Sequence, residues 1–234
     1  MKRQLVLIGG GQTSASAART LRRHGFDGGI VIVGDELHEP YQRPQLSKEY
    51  LQGKAGLEEI HAAPPGWYSD NDVTLELGAR AVQVDKKSLD VTLNNGRTLQ
   101  ADAVLIATGG SPRRFPGAEG DAVLYLRTLE DAYRVRAHAR PGRHIIIVGG
   151  GFIGSEVAAS ARTLGAEVTM LEALNTPLER VLGATIGAVC GSIHRDNGVR
   201  LRCGVSVDSI SQNGSGVVVK TYMEIGRASC RERV

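Results

Sequence analysis

Leu5-Val6-Leu7-Ile8-Gly9-Gly10-Gly11-Gln12-Thr13-Ser14 carries a short apolar strand into a glycine turn and then into an Ala-rich helix. About 140 residues later, Ile145-Ile146-Ile147-Val148-Gly149-Gly150-Gly151-Phe152-Ile153-Gly154 repeats the same plan. A buried strand, a glycine turn and a helix N-terminus together make an anion site. The glycines let backbone N–H groups approach a pyrophosphate, and the helix dipole favours its charge. One such turn is a weak signal. Two of them, each with an acidic residue at the end of the next strand, predict two dinucleotides, a flavin and a nicotinamide. The candidate cofactor residues are Gly9, Gly11, Gln12, Thr13 and Ser14 in the first turn. In the second they are Gly149, Gly151, Phe152, Ile153 and Gly154.

The acidic residues are Asp35, after Val33-Gly34, and Glu172, after Met170-Leu171. A carboxylate there accepts hydrogen bonds from a ribose diol and repels a 2′-phosphate. Glu172 lies 23 residues beyond Gly149 and is followed by Ala173-Leu174-Asn175, with no arginine to welcome NADP. NADH is the expected nucleotide. On the flavin side, Glu36 beside Asp35 could take the same role.

Around these turns the pattern is βαβ. The first helix is expected from about Ser14 to His24, the second from about Gly154 to Leu164. Residues 73–106 read as short alternating strands, with Asn94-Asn95-Gly96 a hairpin signal between the last two of them. Thr128 and Asp131 form a capping box ahead of another helix. The fold class is α/β: two Rossmann-like dinucleotide-binding modules, each a central parallel sheet, with a small antiparallel β insert. The expected divisions are 1–115 for FAD, 116–223 for NAD and 224–234 as a tail.

Composition narrows the partners. The chain has 234 residues, 41% hydrophobic and 23% charged, enough for sizeable cores and too apolar for disorder. A net charge of +3 with scattered Lys and Arg falls short of a nucleic-acid footprint, and 4% aromatics is too few for base stacking. The sequence has no apolar run near about 18 residues, and Met1-Lys2-Arg3 leads straight into a core strand. A cytoplasmic protein with no membrane and no nucleic-acid partner is expected. Cys190, Cys203 and Cys230 form no metal-ligand spacing, so no metal is expected.

Tyr41-Gln42-Arg43-Pro44-Gln45-Leu46-Ser47-Lys48 resembles the PYxRPPLSK segment of NADH-dependent ferredoxin and rubredoxin reductases, a dithiol-free branch of the pyridine nucleotide-disulfide oxidoreductases. Ile106-Ala107-Thr108-Gly109-Gly110-Ser111-Pro112-Arg113 resembles their ATGGxPR turn, and Leu126-Arg127-Thr128-Leu129-Glu130-Asp131-Ala132 their LRTLEDA helix start. Gly149 to Ala158 is similar to their GGGYIGLEVA. Ser14 stands in place of the third glycine of the first turn, and Gln45 in place of the second proline.

The resemblance implies FAD and NADH as cofactors, and a [2Fe–2S] ferredoxin or a rubredoxin as electron acceptor. It implies Lys48 and Glu156 as a catalytic pair, Lys48 near flavin N5 and Glu156 facing the nicotinamide. It adds Arg43 and Arg127 as FAD contacts, Thr13 and Ala81 as backbone contributors, and Thr108 and Gly109 as the turn under the flavin. Two other classes stay open. One is another flavoprotein on the same frame, such as an NADH oxidase or a nitrite-reductase flavin subunit. The other is a non-catalytic protein like the apoptosis-inducing flavoproteins.

Residues 40–51, where disulfide reductases of the superfamily carry redox cysteines, contain none, so electrons are expected to leave the flavin without a thiol relay. One choice of codons for Glu224 to Val234 resembles a short-read sequencing adapter, and a non-native tail is expected there. In the resembling family a second flavin segment and a third domain follow. The expectation is therefore an N-terminal fragment that binds FAD poorly and does not turn over by itself.

Overall fold

The computed structural model describes residues 3–214, 216–223 and 230–233. In chain order its first elements are β1 (Gln4–Ile8), α1 (Gln12–Arg23), β2 (Gly29–Gly34), α2 (Glu49–Gln52), α3 (Trp67–Asp70), β3 (Val73–Leu77) and β4 (Ala81–Val84). Next come β5 (Val91–Leu93), β6 (Thr98–Leu99), β7 (Ala103–Ile106), α4 (Leu129–His138), β8 (His144–Val148) and α5 (Phe152–Thr163). Last are β9 (Glu167–Glu172), α6 (Glu179–Asp196), β10 (Val199–Cys203), β11 (Val205–Asn213), β12 (Gly216–Met223) and β13 (Cys230–Arg233). Two compact units result: Met1–Arg43 with Gly56–Ser111, and Pro44–Ala55 with Pro112–Val234. Residues 44–55 thus pack with the second unit, although a sequence division at 115/116 groups them with the first.

In the first unit a parallel sheet has the order β3-β2-β1-β7. Both faces of its central strands are apolar, as expected of a parallel sheet covered on two sides. Leu7, Ile30 and Ile32 point to one face and pack with Ala15 and Ala18 of α1, and with Ala63 and Tyr68. Val6, Ile8, Val31 and Val33 point to the other, against Val91 and Leu93 of the antiparallel sheet β4-β5-β6. Period-two alternation fills two cores from one pair of strands. The Ala-rich face of α1 lets the helix lie close to the sheet. Gly25, at φ +78°, ends it in the left-handed conformation that glycine adopts without strain.

The second unit repeats the plan. Its parallel sheet has the order β10-β9-β8, with Ala158 and Ala161 of α5 packed on Ile147, Val168 and Met170. An antiparallel meander, β11-β12-β13, follows.

Three readings are refined. Of the strands read in 73–106, β4, β5 and β6 make the small antiparallel insert, whereas β3 pairs parallel with β2, and β7 parallel with β1, at the two edges of the main sheet. The segment between β2 and β3 is long enough to be a crossover, which a parallel neighbour requires and a hairpin does not. The Asn94-Asn95-Gly96 turn joins β5 to the short strand β6, not to residues 103–106, with Gly96 at φ +83°. Both glycine-turn helices begin two residues early, at Gln12 and Phe152. The expected tail falls largely on residues 224–229 and 234, outside the described residues. Within it, Cys230–Arg233 pair antiparallel with β12, so β12 has a partner on that side.

Candidate dinucleotide sites

The two glycine turns share one backbone hydrogen-bond register. Gly9 N–H donates to Val33 O at 2.8 Å, and Gly149 N–H donates to Leu171 O at 2.8 Å. Gly11 and Gly151 are the N-caps of α1 and α5, both extended, neither helix with a capping side chain or an acidic residue in its first turn. α4 makes the contrast, since Thr128 and Asp131 close a full capping box there and Glu130 stands in its first turn. The N-terminal N–H groups and positive dipole ends of α1 and α5 are therefore left to an anion, whereas those of α4 are satisfied internally.

Glycine is required at specific places in these turns. Gly9 is at φ +124°, and a Cβ there would overlap the carbonyl of Ala107. A Cβ on Gly154 would overlap the carbonyl of Gly149. Gly11 and Gly151 have open space instead, so their smallness leaves room for a ligand. Ser14 takes the place that Gly154 holds in the second turn. It is fully buried with no hydrogen-bond partner for its hydroxyl, so the first turn is wide enough for one small side chain. Beside these anion sites lies open apolar surface: Phe152 and Ile153 in the first turn of α5, and Ile106 at the end of β7. A ligand that is part phosphate and part ring suits that combination.

The acidic residues are not equivalent. Leu171 matches Val33, so Glu172 matches Gly34, and Asp35 lies one residue further on. Glu172 Oε2 accepts from Gly150 N–H at 2.6 Å, and Oε1 from Leu174 N–H at 2.8 Å. That fixes the carboxylate at the rim of the second turn and leaves each oxygen a further lone pair for a ribose hydroxyl. In the first unit, Gly34 instead allows the close approach of Gly10, with a Cβ on either meeting the other's Cα at 3.0–3.1 Å. Asp35 is half exposed and pairs with Arg80 at 2.9 Å. Glu36 is already engaged by the hydroxyl of Tyr41 and by Arg43 Nη2 at 2.5 Å. Asp35 is the more open carboxylate of the two.

The remaining predicted residues take these places. Thr108 and Gly109, the latter at φ +70°, are exposed in the turn that follows Ala107 against Gly9. Ala81 begins β4, paired with Leu93. The Arg127 N–H donates to Asp131 Oδ2 at 2.9 Å at the start of α4. Lys48 Nζ lies 3.2 Å from Glu156 Oε1, so the second unit brings together the two residues expected to pair. The sequence reading missed what surrounds that pair. Ser47 Oγ–H donates to Glu156 Oε2 at 2.5 Å, Ser160 Oγ–H donates to Ser47 O at 2.7 Å, and Gln52 Nε2 donates to Ser160 Oγ at 3.0 Å. Arg136 donates to the carbonyls of Tyr50 and Leu51. Ser47 stood in the quoted Leu-Ser-Lys motif, but spacing gave no signal for the other three.

Cys190 lies on α6 and Cys203 ends β10, and both are free thiols. Burial pushes the Cys203 thiol up, with Glu172 and Glu179 adding to the rise and Arg195 opposing it. It is a protonated, weak nucleophile at neutral pH. Replacing Cys190 and Cys203 by Ser in the full-length protein is expected to leave any NADH-dependent flavin reduction within a few-fold of wild type, since burial keeps the Cys203 thiol protonated and residues 40–51 hold no cysteine. Stopped-flow absorbance checks this, and loss of reduction in a folded variant would restore a thiol route. Among the described residues there is no group of three or more His, Cys, Asp or Glu that could hold a metal ion. None of the described helices is long and apolar enough to cross a membrane.

Residues 3–227 match the family model described as pyridine nucleotide-disulphide oxidoreductase. The chain is 43% identical over 213 residues to the ferredoxin–NAD(+) reductase component of a p-cumate 2,3-dioxygenase system from Pseudomonas putida, covering 90% of this chain and 53% of that protein. It is 37% identical to rhodocoxin reductase from Rhodococcus erythropolis, covering 88% of this chain and 49% of that one. A crystal structure of a covalent putidaredoxin reductase–putidaredoxin complex matches with a TM-score of 0.88 at 32% identity, over 98% of this chain and 56% of that chain. The chain spans about half the length of the curated relatives it matches.

Proposed function

The chain belongs to the pyridine nucleotide-disulphide oxidoreductase family, and from that premise we propose that it works in the cytoplasm as an NADH-dependent flavoprotein reductase. Bound FAD would take hydride from NADH and release electrons singly to a [2Fe–2S] ferredoxin or a rubredoxin. The observation that carries this reading is the doubled glycine turn, each copy opening an uncapped helix N-terminus. The names of the relatives support it, since one is the ferredoxin–NAD(+) reductase component of a dioxygenase system.

We assign Gly9 to Ser14, Asp35, Arg43, Ala81, Thr108, Gly109 and Arg127 to FAD. Gly149 to Gly154 and Glu172 are assigned to NADH. The N–H groups at the two helix starts hold pyrophosphate, and Glu172 accepts from the ribose diol. Lys48 supplies a cation that offsets the negative charge of the reduced cofactor, and Glu156 holds that ammonium in place.

A double-mutant cycle in the FAD-loaded holoenzyme tests the pair. Lys48→Ala is expected to slow hydride transfer about tenfold or more and to lower the flavin midpoint potential, because a nearby cation is lost. Glu156→Ala should disturb the potential less. The double variant should cost less than the sum of the singles, as for groups in contact. Strict additivity in pre-steady-state reduction rates would mean the two side chains act separately.

A further inference from the structure

We propose that Ser47 is a positioning residue whose hydroxyl holds Glu156 so that its other oxygen is presented to Lys48; in its bearing on electron transfer this rests on the reading above. Lys48 and Glu156 are long side chains, 42% and 30% exposed. Such a pair has rotamer freedom to lose and does not fix its own geometry. Ser47, by contrast, is buried at 4% exposure. Its hydroxyl has one proton and two acceptors within reach, Glu156 Oε2 at 2.5 Å and Pro44 O at 3.2 Å. The nearer, charged acceptor takes that proton in the stronger bond.

Ser47 is in turn anchored. Its carbonyl accepts from Ser160 Oγ, a residue 1% exposed on α5, and Gln52 Nε2 donates to that same Oγ. On the far side of Lys48, Arg136 of α4 grips the carbonyls of Tyr50 and Leu51 and lies over the Tyr50 ring, 5.0 Å from its centroid. The backbone on both sides of Lys48 is thus tied to α4 and α5, and the carboxylate that receives its ammonium is tied to the residue immediately before it. The chain Gln52–Ser160–Ser47–Glu156–Lys48 includes two buried hydroxyls, and that of Ser47, the one that meets Glu156, can be deleted without touching either charge.

Lysine acetylation of the full chain by acetic anhydride, quantified by mass spectrometry, reads the pairing of Lys48 directly, with Lys54 in the same segment as internal control. Glu156→Gln is expected to raise the Lys48-to-Lys54 rate ratio about threefold, the scale of a part-exposed ion pair. Ser47→Ala should raise it by a similar factor, Ser47→Thr should bring it back toward wild type, and Ser47→Ala should add nothing in the Glu156→Gln background. An unchanged ratio in Ser47→Ala, a rise shared by Lys54, or failure of Ser47→Thr to restore it would each overturn the proposal. No response to Glu156→Gln either would remove the ion pair, and the role given to it above. In the FAD-loaded holoenzyme, Ser47→Ala should slow hydride transfer only while Lys48 is present. An undiminished effect in Lys48→Ala would again overturn the positioning role, whereas a Lys48→Ala variant with normal transfer would overturn the assigned function and leave the labelling result standing.

Discussion

Gly9→Ala is expected to lower the thermal midpoint by on the order of 10 °C and to abolish FAD binding, while Gly11→Ala, two residues away, leaves the fold nearly intact. At Gly9 two penalties coincide. The backbone is at φ +124°, and a Cβ would overlap the Ala107 carbonyl, which is main chain and cannot rotate aside. The turn must open, and that breaks the Gly9 N–H to Val33 O bond that ties β1 to β2. Gly11 has ordinary φ and nothing within 4 Å, so a methyl group costs the fold less than about 1 kcal/mol as a poorer N-cap. Any loss of nucleotide binding in Gly11→Ala is then steric exclusion of the ligand. Gly154→Ala should behave like Gly9→Ala for NADH, through overlap with the Gly149 carbonyl. Calorimetry with FAD and NADH titrations separates the cases. Equal stability of Gly9→Ala and Gly11→Ala would contradict the turn geometry.

The second large effect lies in the choice of nucleotide. NADH should be preferred over NADPH by about 1–3 kcal/mol, or roughly tenfold to a hundredfold in kcat/KM, because a 2′-phosphate would meet the Glu172 carboxylate. Two backbone N–H groups hold that carboxylate in place, so it cannot swing away cheaply. Glu172→Gln removes the charge and keeps an acceptor for one of those N–H groups. It should narrow the gap chiefly by improving NADPH. Glu172→Ala should narrow it further but also leave the Gly150 N–H without its acceptor, at a cost of about 1 kcal/mol or more in stability. Equal use of both nucleotides by the wild-type protein would remove Glu172 from the ribose site.

Much of this arrangement was legible in the residues because strand–glycine–helix turns are local. Leu5 to Ser14 and Ile145 to Gly154 specify strand, turn and helix within ten residues each, and their unbroken apolar runs mark strands buried on both faces of a parallel sheet. What was not legible depends on pairing between distant segments. Val73–Leu77 reads as one of several short strands by pattern, and only the length of the crossover before it makes it a parallel neighbour of β2. The one-residue offset between Asp35 and Glu172 is invisible until the hydrogen bonds of Gly9 and Gly149 align the two modules. Ser160, Gln52 and Arg136 carry no motif. Their importance comes from residues 44–55 packing with α4 and α5, a tertiary fact with no local signature.

The most direct test of the account is an anaerobic titration of the full-length, FAD-loaded holoenzyme with NADH, followed by flavin absorbance. The account predicts full bleaching by about one equivalent of NADH, slow or absent bleaching by NADPH, and return of the oxidised spectrum when an oxidised ferredoxin or rubredoxin is added. A folded, FAD-containing protein that NADH leaves yellow would contradict it.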